Sequence, residues 1–166
     1  MIVGLAQVLD GAQPFSVGNV SDTYRGLIRR FDGEDCPAIL KDLPVKELAN
    51  EVLAAAVGIL LGLPIPQPYL ALATADRLKA SKGPLVENGR LLFASTDVKQ
   101  PQVATLLQGT LAPVVLQRLA TWPGTGKLYG FDTLVANVDR HAGNLLFSGD
   151  HGVWLIDHGR CFTGPA

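Results

Sequence analysis

FDTLVANVDRHAGNLLFSGDHGVWLIDHG, residues 131–159, sets three polar side chains around two apolar runs, and its reading decides the rest of the chain. The three are Asp139, Asn144 five positions on, and Asp157 thirteen beyond that. Leu145, Leu146 and Phe147 form one run; Val153, Trp154, Leu155 and Ile156 form the other; residues 148–152 between them have turn composition. A hairpin of that length folds back so that Asn144 before it and Asp157 after it finish side by side. A carboxylate and an amide oxygen brought together suit a hard cation such as Mg2+. Asp139, in the loop before the hairpin, is expected to face the same point. A carboxylate near an attacking hydroxyl, beside metal ligands that hold nucleotide phosphates, is what phosphoryl transfer requires. A single Asp at a loop or strand end is ordinarily a turn former or a cap. Three polar residues at this spacing, with two large apolar strands between them, favour a site.

The step from Asp139 to Asn144 equals that of the protein-kinase catalytic loop, and Ile156-Asp157-His158-Gly159 stands where that signature has Asp-Phe-Gly. Asp139-Arg140-His141-x-x-Asn144, followed by Ile156-Asp157-His158-Gly159-Arg160-Cys161-Phe162, resembles more closely the HipA-like kinases and the phosphatidylinositol 3- and 4-kinases. In those families the order Asp-Arg-His replaces His-Arg-Asp. The resemblance covers roughly residues 14–162. It implies an α+β, protein kinase-like fold in a single domain. Residues 1–98 would form an N-lobe, an antiparallel sheet with one helix, and residues 99–166 a truncated, mostly helical C-lobe carrying the catalytic hairpin. Nine residues follow Asp157, where kinases of this kind carry a helical lobe. The expectation is therefore a compact kinase, helical support from residues 101–137, or a partner subunit that completes the short C-lobe.

Composition sets the outer bounds. The chain has 166 residues, 48% of them apolar, enough for a core in one domain or two small lobes. A net charge of -1 removes the electrostatic footprint of a general nucleic-acid binder. Cys36 and Cys161 show neither CxxC nor Cys/His ligand spacing, so no disulfide framework or structural zinc site is indicated, in keeping with a reducing cytoplasm. The longest apolar run, residues 52–63, is too short to span a bilayer.

Taken in order, residues 2–9 have strand character and residues 24–31 read as a second strand ending at the Asp32-Gly33 turn. The loop between them, with Val17, Gly18, Asn19 and Ser21, could cover phosphates with its backbone amides, although it lacks GxGxxG and a plain hairpin turn has the same composition. Pro37-Ala38-Ile39-Leu40-Lys41 reads as a third strand with the company of the kinase Val-Ala-Ile-Lys strand. Residues 45–63 form a helix that starts after Pro44, closes at Gly62 and is apolar nearly all round. Glu51 sits inside it among Ala54, Ala55 and Gly58. A carboxylate there is costly unless paired, and Lys41 is the obvious partner. Glu47 competes for that role; the small apolar neighbours and the Asn50-Glu51 step, which is similar to the HipA-like pattern, favour Glu51.

The Gly62-Leu63-Pro64-Ile65-Pro66 connector, also similar to HipA-like kinases, leads to strands at residues 69–73 and 90–95 with an irregular stretch between them. The resemblance implies an adenine hinge around residues 95–98. Residues 101–108, 113–122 and 127–137 have helical patterns, and Trp122 and Trp154 are expected in the core. Pro123-Gly124-Thr125-Gly126-Lys127 is not a P-loop: Thr121 stands where the first glycine is required and Leu128 replaces Ser/Thr.

These readings converge on an ATP- and Mg2+-dependent phosphotransferase. Lys41, steadied by Glu51, would position phosphates under the loop of Val17, Gly18, Asn19 and Ser21; Asn144 and Asp157 would hold the metal; Asp139 would orient the acceptor hydroxyl. The resemblance implies a Ser/Thr hydroxyl on a protein, or a lipid; the absence of a basic amphipathic helix tilts the reading to protein. Two alternatives stand beside it. One is a nucleotide-binding pseudokinase or scaffold. The other is a metal-dependent hydrolase, raised by His141, His151 and His158 lying within 18 residues near Asp139 and Asp157.

Overall fold

The computed structural model describes residues 2–15, 22–98, 112–148 and 152–162. The first half is built on strands whose side chains alternate between a common interior and the outside. They are β1 (Gly4–Val8), β2 (Gln13–Pro14), β3 (Asp22–Arg30), β4 (Asp35–Asp42), β5 (Pro68–Thr74), β6 (Leu85–Val86) and β7 (Gly89–Thr96), with helix α1 (Val45–Leu60) between β4 and β5. Pairing runs β1-β5-β7-β4-β3, and β1 also pairs with β3, so five strands close into a ring. Inside it Val8, Ile28, Ala38, Leu40, Ala71, Leu92 and Ala94 are buried together. Small residues on β4, β5 and β7 keep that interior narrow enough for side chains to fill.

Two expectations are amended. The sheet is not wholly antiparallel: β1 runs parallel to β5, with Leu5 opposite Leu70. A parallel neighbour requires a crossover, and β3, β4 and α1 all lie in the chain between the two strands. Trp154 is not a core residue, because on its strand it alternates with the buried Val153 and Leu155 and stays partly exposed. Trp122 packs against the second core described below, also while partly exposed. The expected helix at residues 101–108 and the loop residues Val17, Gly18, Asn19 and Ser21 lie outside the described residues.

α1 ends where glycine permits a left-handed turn. Gly62 has φ of 70°, its N–H donates to Ile59 O, and the Leu63 N–H donates to Gly58 O at 2.9 Å, the paired bonds of a Schellman motif. The connector that follows is tied to the second half through Leu155 N donating to Pro64 O at 2.9 Å.

The second half contributes α2 (Ala112–Thr121), α3 (Thr125–Leu134), a short 3-10 turn (Ala142–Asn144) and the hairpin β8 (Leu145–Ser148) with β9 (Gly152–Leu155). Its core joins Ala54 and Ala55 of α1 to Phe131, Val135, Leu145, Phe147, Val153, Leu155 and Cys161. α1 is thus wedged between the sheet, where Leu48 meets Phe93 and Leu43, and this second cluster. Gly58 lets the two sides close: a Cβ there would strike the Ile65 side chain, with the Phe131 ring 3.4 Å away. Phe131 is 1% exposed and is the largest fully buried side chain among the described residues.

Truncating Phe131 should leave a cavity at the junction of α1, α3 and the hairpin. A Phe131→Ala chain is expected to lose about 3 kcal/mol or more of stability in urea unfolding. A loss under about 1 kcal/mol would show that the two sides do not share this core.

Candidate active site

A cleft of about 770 Å³, open mouth included, lies between the outer face of the sheet and the hairpin. The alternation that sends Ala38 and Leu40 into the ring sends Ile39 and Lys41 into the cleft, together with Phe93 and Ser95 of β7. Leu146, Leu155, Ile156, Asp157 and His158 close the opposite wall, and residues 95–98, the expected hinge, form one edge.

One carboxylate organises the floor. Lys41 Nζ donates to Glu51 Oε1 at 2.5 Å and to Asp157 Oδ1 at 3.0 Å. The other oxygen of Glu51 accepts the backbone N–H of His158 at 2.9 Å and lies 3.7 Å from His158 Nδ1. The Glu51 side chain is 1% exposed, Lys41 12% and Asp157 49%, so the pair is buried and its third member reaches solvent. Glu47, the competing carboxylate, is exposed in the first turn of α1.

Burial works against charge on Glu51, yet the Lys41 ammonium beside it outweighs burial and holds the carboxyl below the usual glutamate range. Burial likewise opposes charge on Lys41, and the carboxylates of Glu51 and Asp157 raise its pKa above the ordinary lysine value.

The backbone at Asp157 is left-handed, with φ of 63°. Asp tolerates this conformation better than most residues, at a cost of roughly 1–3 kcal/mol. The turn presents the Asp157 carboxylate to the cleft while His158 is buried behind it, 2% exposed, its ring edge-on to Phe131 at 5.7 Å. His158 Nε2 has no hydrogen-bond partner among the described residues, so the ring serves mainly as packing. Asn50 Nδ2 donates to Gly159 O at 2.9 Å, a second tie from α1 to this segment.

Asp139 and Asn144 form a second group. Asn144 Nδ2 donates to Asp139 O at 2.8 Å, which leaves the amide oxygen as the free end of a side chain on a residue 2% exposed. Ile156 N donates to Asn144 O at 3.1 Å, extending the hairpin ladder one step past the Leu145↔Leu155 pair. Arg140 clamps this open end, with Nη1 3.2 Å from both Asn144 O and Ile156 O. The Arg140 guanidinium is itself held by Asp132 of α3 at 3.0 Å. Asn137 bridges Asp132 and the Asp139 N–H. The Asp139 carboxylate has Arg160 Nη1 at 3.5 Å.

Of the residues singled out from sequence, then, Lys41, Glu51 and Asp157 are in direct contact and line the cleft. Asp139 and Asn144 contact each other, lie outside the cleft lining, and join the first group through the hairpin end. Sequence reasoning passed over Asp132, Asn137 and Arg140 as a unit. The signal available was a polar residue on an otherwise apolar helix face, five and eight positions before the other two.

The donors suit a hard divalent cation: a half-exposed carboxylate from Asp157 and an amide oxygen from Asn144, both oxygen ligands. The histidines serve other ends. His141 Nδ1 accepts the Gly143 N–H at 3.0 Å and caps the 3-10 turn, and His158 is packed in the core. His151 lies outside the described residues. Among the described residues no three His, Cys, Asp or Glu side chains gather as a metal site. Burial pushes the Cys161 thiol up to about 12, leaving it a core residue.

Fold and cleft together define a kinase-like protein. Residues 38–165 match the profile of the HipA-like kinases, and the chain belongs to that family. Among solved structures it is similar to the Helicobacter pylori proinflammatory kinase CtkA, with a TM-score of 0.54 and 16% sequence identity over 92% of this chain. At that identity the likeness is one of fold. The chain spans 58% of the length of that structure. No curated protein matches it.

The buried pair has a pH signature. A carboxyl whose pKa is lowered on folding adds stability that is complete above the unfolded value, near about 4.3, and is lost as pH falls through the folded one. Thermal unfolding of the unaltered chain should therefore weaken more steeply below about pH 4 than that of Glu51→Gln. At neutral pH that variant should be less stable by about 3 kcal/mol, since it takes from a buried ammonium its one buried counter-charge and leaves only the half-exposed Asp157. Parallel pH profiles for the two chains would show that Glu51 carries no such term.

Proposed function

We propose that the chain is the catalytic part of an ATP- and Mg2+-dependent phosphotransferase acting on a Ser/Thr hydroxyl of a protein. The observation that carries this reading is the buried Lys41–Glu51 pair reaching Asp157 across a cleft edged by residues 95–98. Residues 1–98 act as the nucleotide-holding lobe and residues 99–166 as a short second lobe. Lys41 is a point charge for the nucleotide phosphates, and Glu51 keeps it from folding back on the strand. The loop with Val17, Gly18, Asn19 and Ser21, which lies outside the described residues, is assigned to the same phosphates.

Asn144 and Asp157 are the residues that would hold Mg2+, which supplies neutralisation of charge on the transferring phosphoryl group. Asp139 accepts the proton of the acceptor hydroxyl as its oxygen bonds to phosphorus and the bond to the leaving diphosphate breaks. Arg160, 3.5 Å from Asp139 Oδ1, orients that carboxylate. No helix among the described residues is long and apolar enough to cross a membrane, and both cysteines are free. The proposed acceptor is a cytoplasmic protein, with a lipid as the alternative.

One observation favours a second reading, nucleotide binding without turnover. Asp139 and Asn144 stand outside the cleft lining, and Asp139 already has a cationic neighbour in Arg160.

Two variants separate the readings. With radiolabelled ATP and Mg2+, alone and with a cell extract, Asp139→Ala is expected to lose about 100-fold or more in phosphate incorporation while still binding nucleotide. Equal incorporation by Asp139→Ala and the unaltered chain would remove Asp139 from the chemistry, and incorporation by neither would favour the scaffold. Asp157→Ala is expected to abolish the Mg2+-dependent part of nucleotide affinity in calorimetry; titrations with and without Mg2+ that match the unaltered chain would overturn the ligand assignment.

A further inference from the structure

Away from Lys41 the sheet side of the cleft is built in rows. Thr23, Lys41 and Phe93 stand side by side across β3, β4 and β7, and Arg25, Ile39 and Ser95 form the next row. All six line the cleft. Two residues along a strand separate the rows, roughly 7 Å. One row further on, Leu27 is opposite Pro37, and the Asp97 N–H donates to Pro37 O at 2.9 Å, which continues the ladder past the end of β7. Period-two alternation puts this third row on the same face as the first two. Leu27 and Pro37 are nevertheless exposed and do not line the cleft. The cleft therefore stops between Ile39 and Pro37.

A single side chain marks that boundary. Arg25 Nε lies 2.9 Å from Asp97 Oδ2, so the pair spans β4 between Ile39 and Pro37. The Arg25 guanidinium carbon is also 4.4 Å from the centre of the Phe15 ring, and the Phe15 N–H donates to Thr23 O at 2.8 Å. The Asp97 side chain is 5% exposed and that of Arg25 49%. A carboxylate so enclosed is costly without a counter-charge, and Arg25 supplies one. Arginine suits the place, because its planar head can bond a carboxylate along one edge while a face stacks on a ring. Residues from three segments, Phe15 after β2, Arg25 of β3 and Asp97 after β7, thus fix one flat group across the end of the cleft.

The two ends of the cleft differ in charge. At the Lys41 end two carboxylates face one ammonium, whereas at the Arg25 end one carboxylate and one guanidinium cancel. Ile39, Ile65, Leu146 and Leu155 line the space between them. A ligand that is charged at one end and carries a flat, neutral ring at the other matches this order, and a mononucleotide has that chemistry.

We infer that Arg25 is the specificity-determining residue at the base end of the cleft, an end wall that the base of a bound mononucleotide abuts and that excludes bases bearing a bulky group on that side. The inference rests on the nucleotide reading above and adds to it the residue that limits the length of the base. Asp97 and Phe15 are the positioning residues that hold the wall.

Calorimetry with ATP, adenosine and ATP analogues benzylated in turn at C2, N6 or C8 of the base tests it. In Arg25→Ala the affinities for ATP and adenosine should fall by the same factor, about fivefold or more, since the lost contact is at the base and not at the phosphates. At least one benzylated analogue that the unaltered chain rejects should bind Arg25→Ala about tenfold more tightly than it binds the unaltered chain. A merely structural role for Arg25 gives losses and no such gain. Arg25 is half-exposed, so the variant should fold, which its thermal melt checks; should it not, Arg25→Lys, which keeps the charge and loses the flat head, is expected to show the same pattern. Unchanged ATP affinity, a loss for ATP without one for adenosine, or no analogue that gains would each overturn the inference and leave the phosphotransferase reading standing. Failure of the unaltered chain to bind ATP or adenosine would overturn both.

Discussion

Lys41 is a buried cation held by two carboxylates, and most of what is particular to this molecule follows from where those three groups come from. Lys41 is on β4, Glu51 is ten residues on in α1, and Asp157 is 116 residues away beyond the hairpin. Desolvating such charges costs several kcal/mol for each ion, and the cost is met only if every oxygen and every proton finds a partner. Glu51 meets it, one oxygen bonded to Lys41 and the other to the His158 N–H. With two carboxylates to one ammonium the cluster keeps an excess of negative charge at its exposed member, Asp157.

The frame exists to hold α1 against both halves at once. Its Leu48 side belongs with the sheet and its Ala54 and Ala55 side with the hairpin, so Glu51, between them, has no freedom to choose another partner. On the far side of the hairpin a second ion pair, Asp132 with Arg140, fixes the strand ends that carry Asn144 and Ile156. Both partners are about one-seventh exposed, so this pair is screened far less than the surface bridges Arg29–Asp35 and Arg30–Asp32. The hairpin is thus registered from below by Arg140 and from above by the Pro64 carbonyl on Leu155.

Much of this was legible before any coordinates, wherever a residue conflicted with its local setting. A glutamate in an apolar helix and a lysine at the end of an apolar strand each demand a partner, and the short chain between them makes each the other's nearest choice. The hairpin was legible from two apolar runs around a polar turn. Long-range pairing was not: nothing in residues 4–8 announces that they close a ring against both β3 and β5, because parallel strands carry no local mark of their neighbour. The Asp132–Arg140 clamp was missed since Asp132 on its apolar helix face calls for a partner without naming one, and Arg140 lies eight residues on, beyond the end of the helix. The φ of Asp157 is equally silent in sequence, because Asp is common in every kind of turn.

That left-handed residue connects the two themes. Holding a non-glycine residue there costs roughly 1–3 kcal/mol, and the neighbouring bonds must exceed that cost for the conformation to persist. They are the His158 N–H to Glu51 and the Lys41 ammonium to Asp157 itself, both anchored on the same buried carboxylate. The strain at Asp157 and the position of Lys41 are therefore not independent. If α1 shifted by the length of one hydrogen bond, Glu51 would release His158 and Lys41 together, and the backbone at 157 would relax to an ordinary region. Whatever fixes the outside of α1 consequently fixes the orientation of a carboxylate on the other side of the cleft, through a path one side chain long.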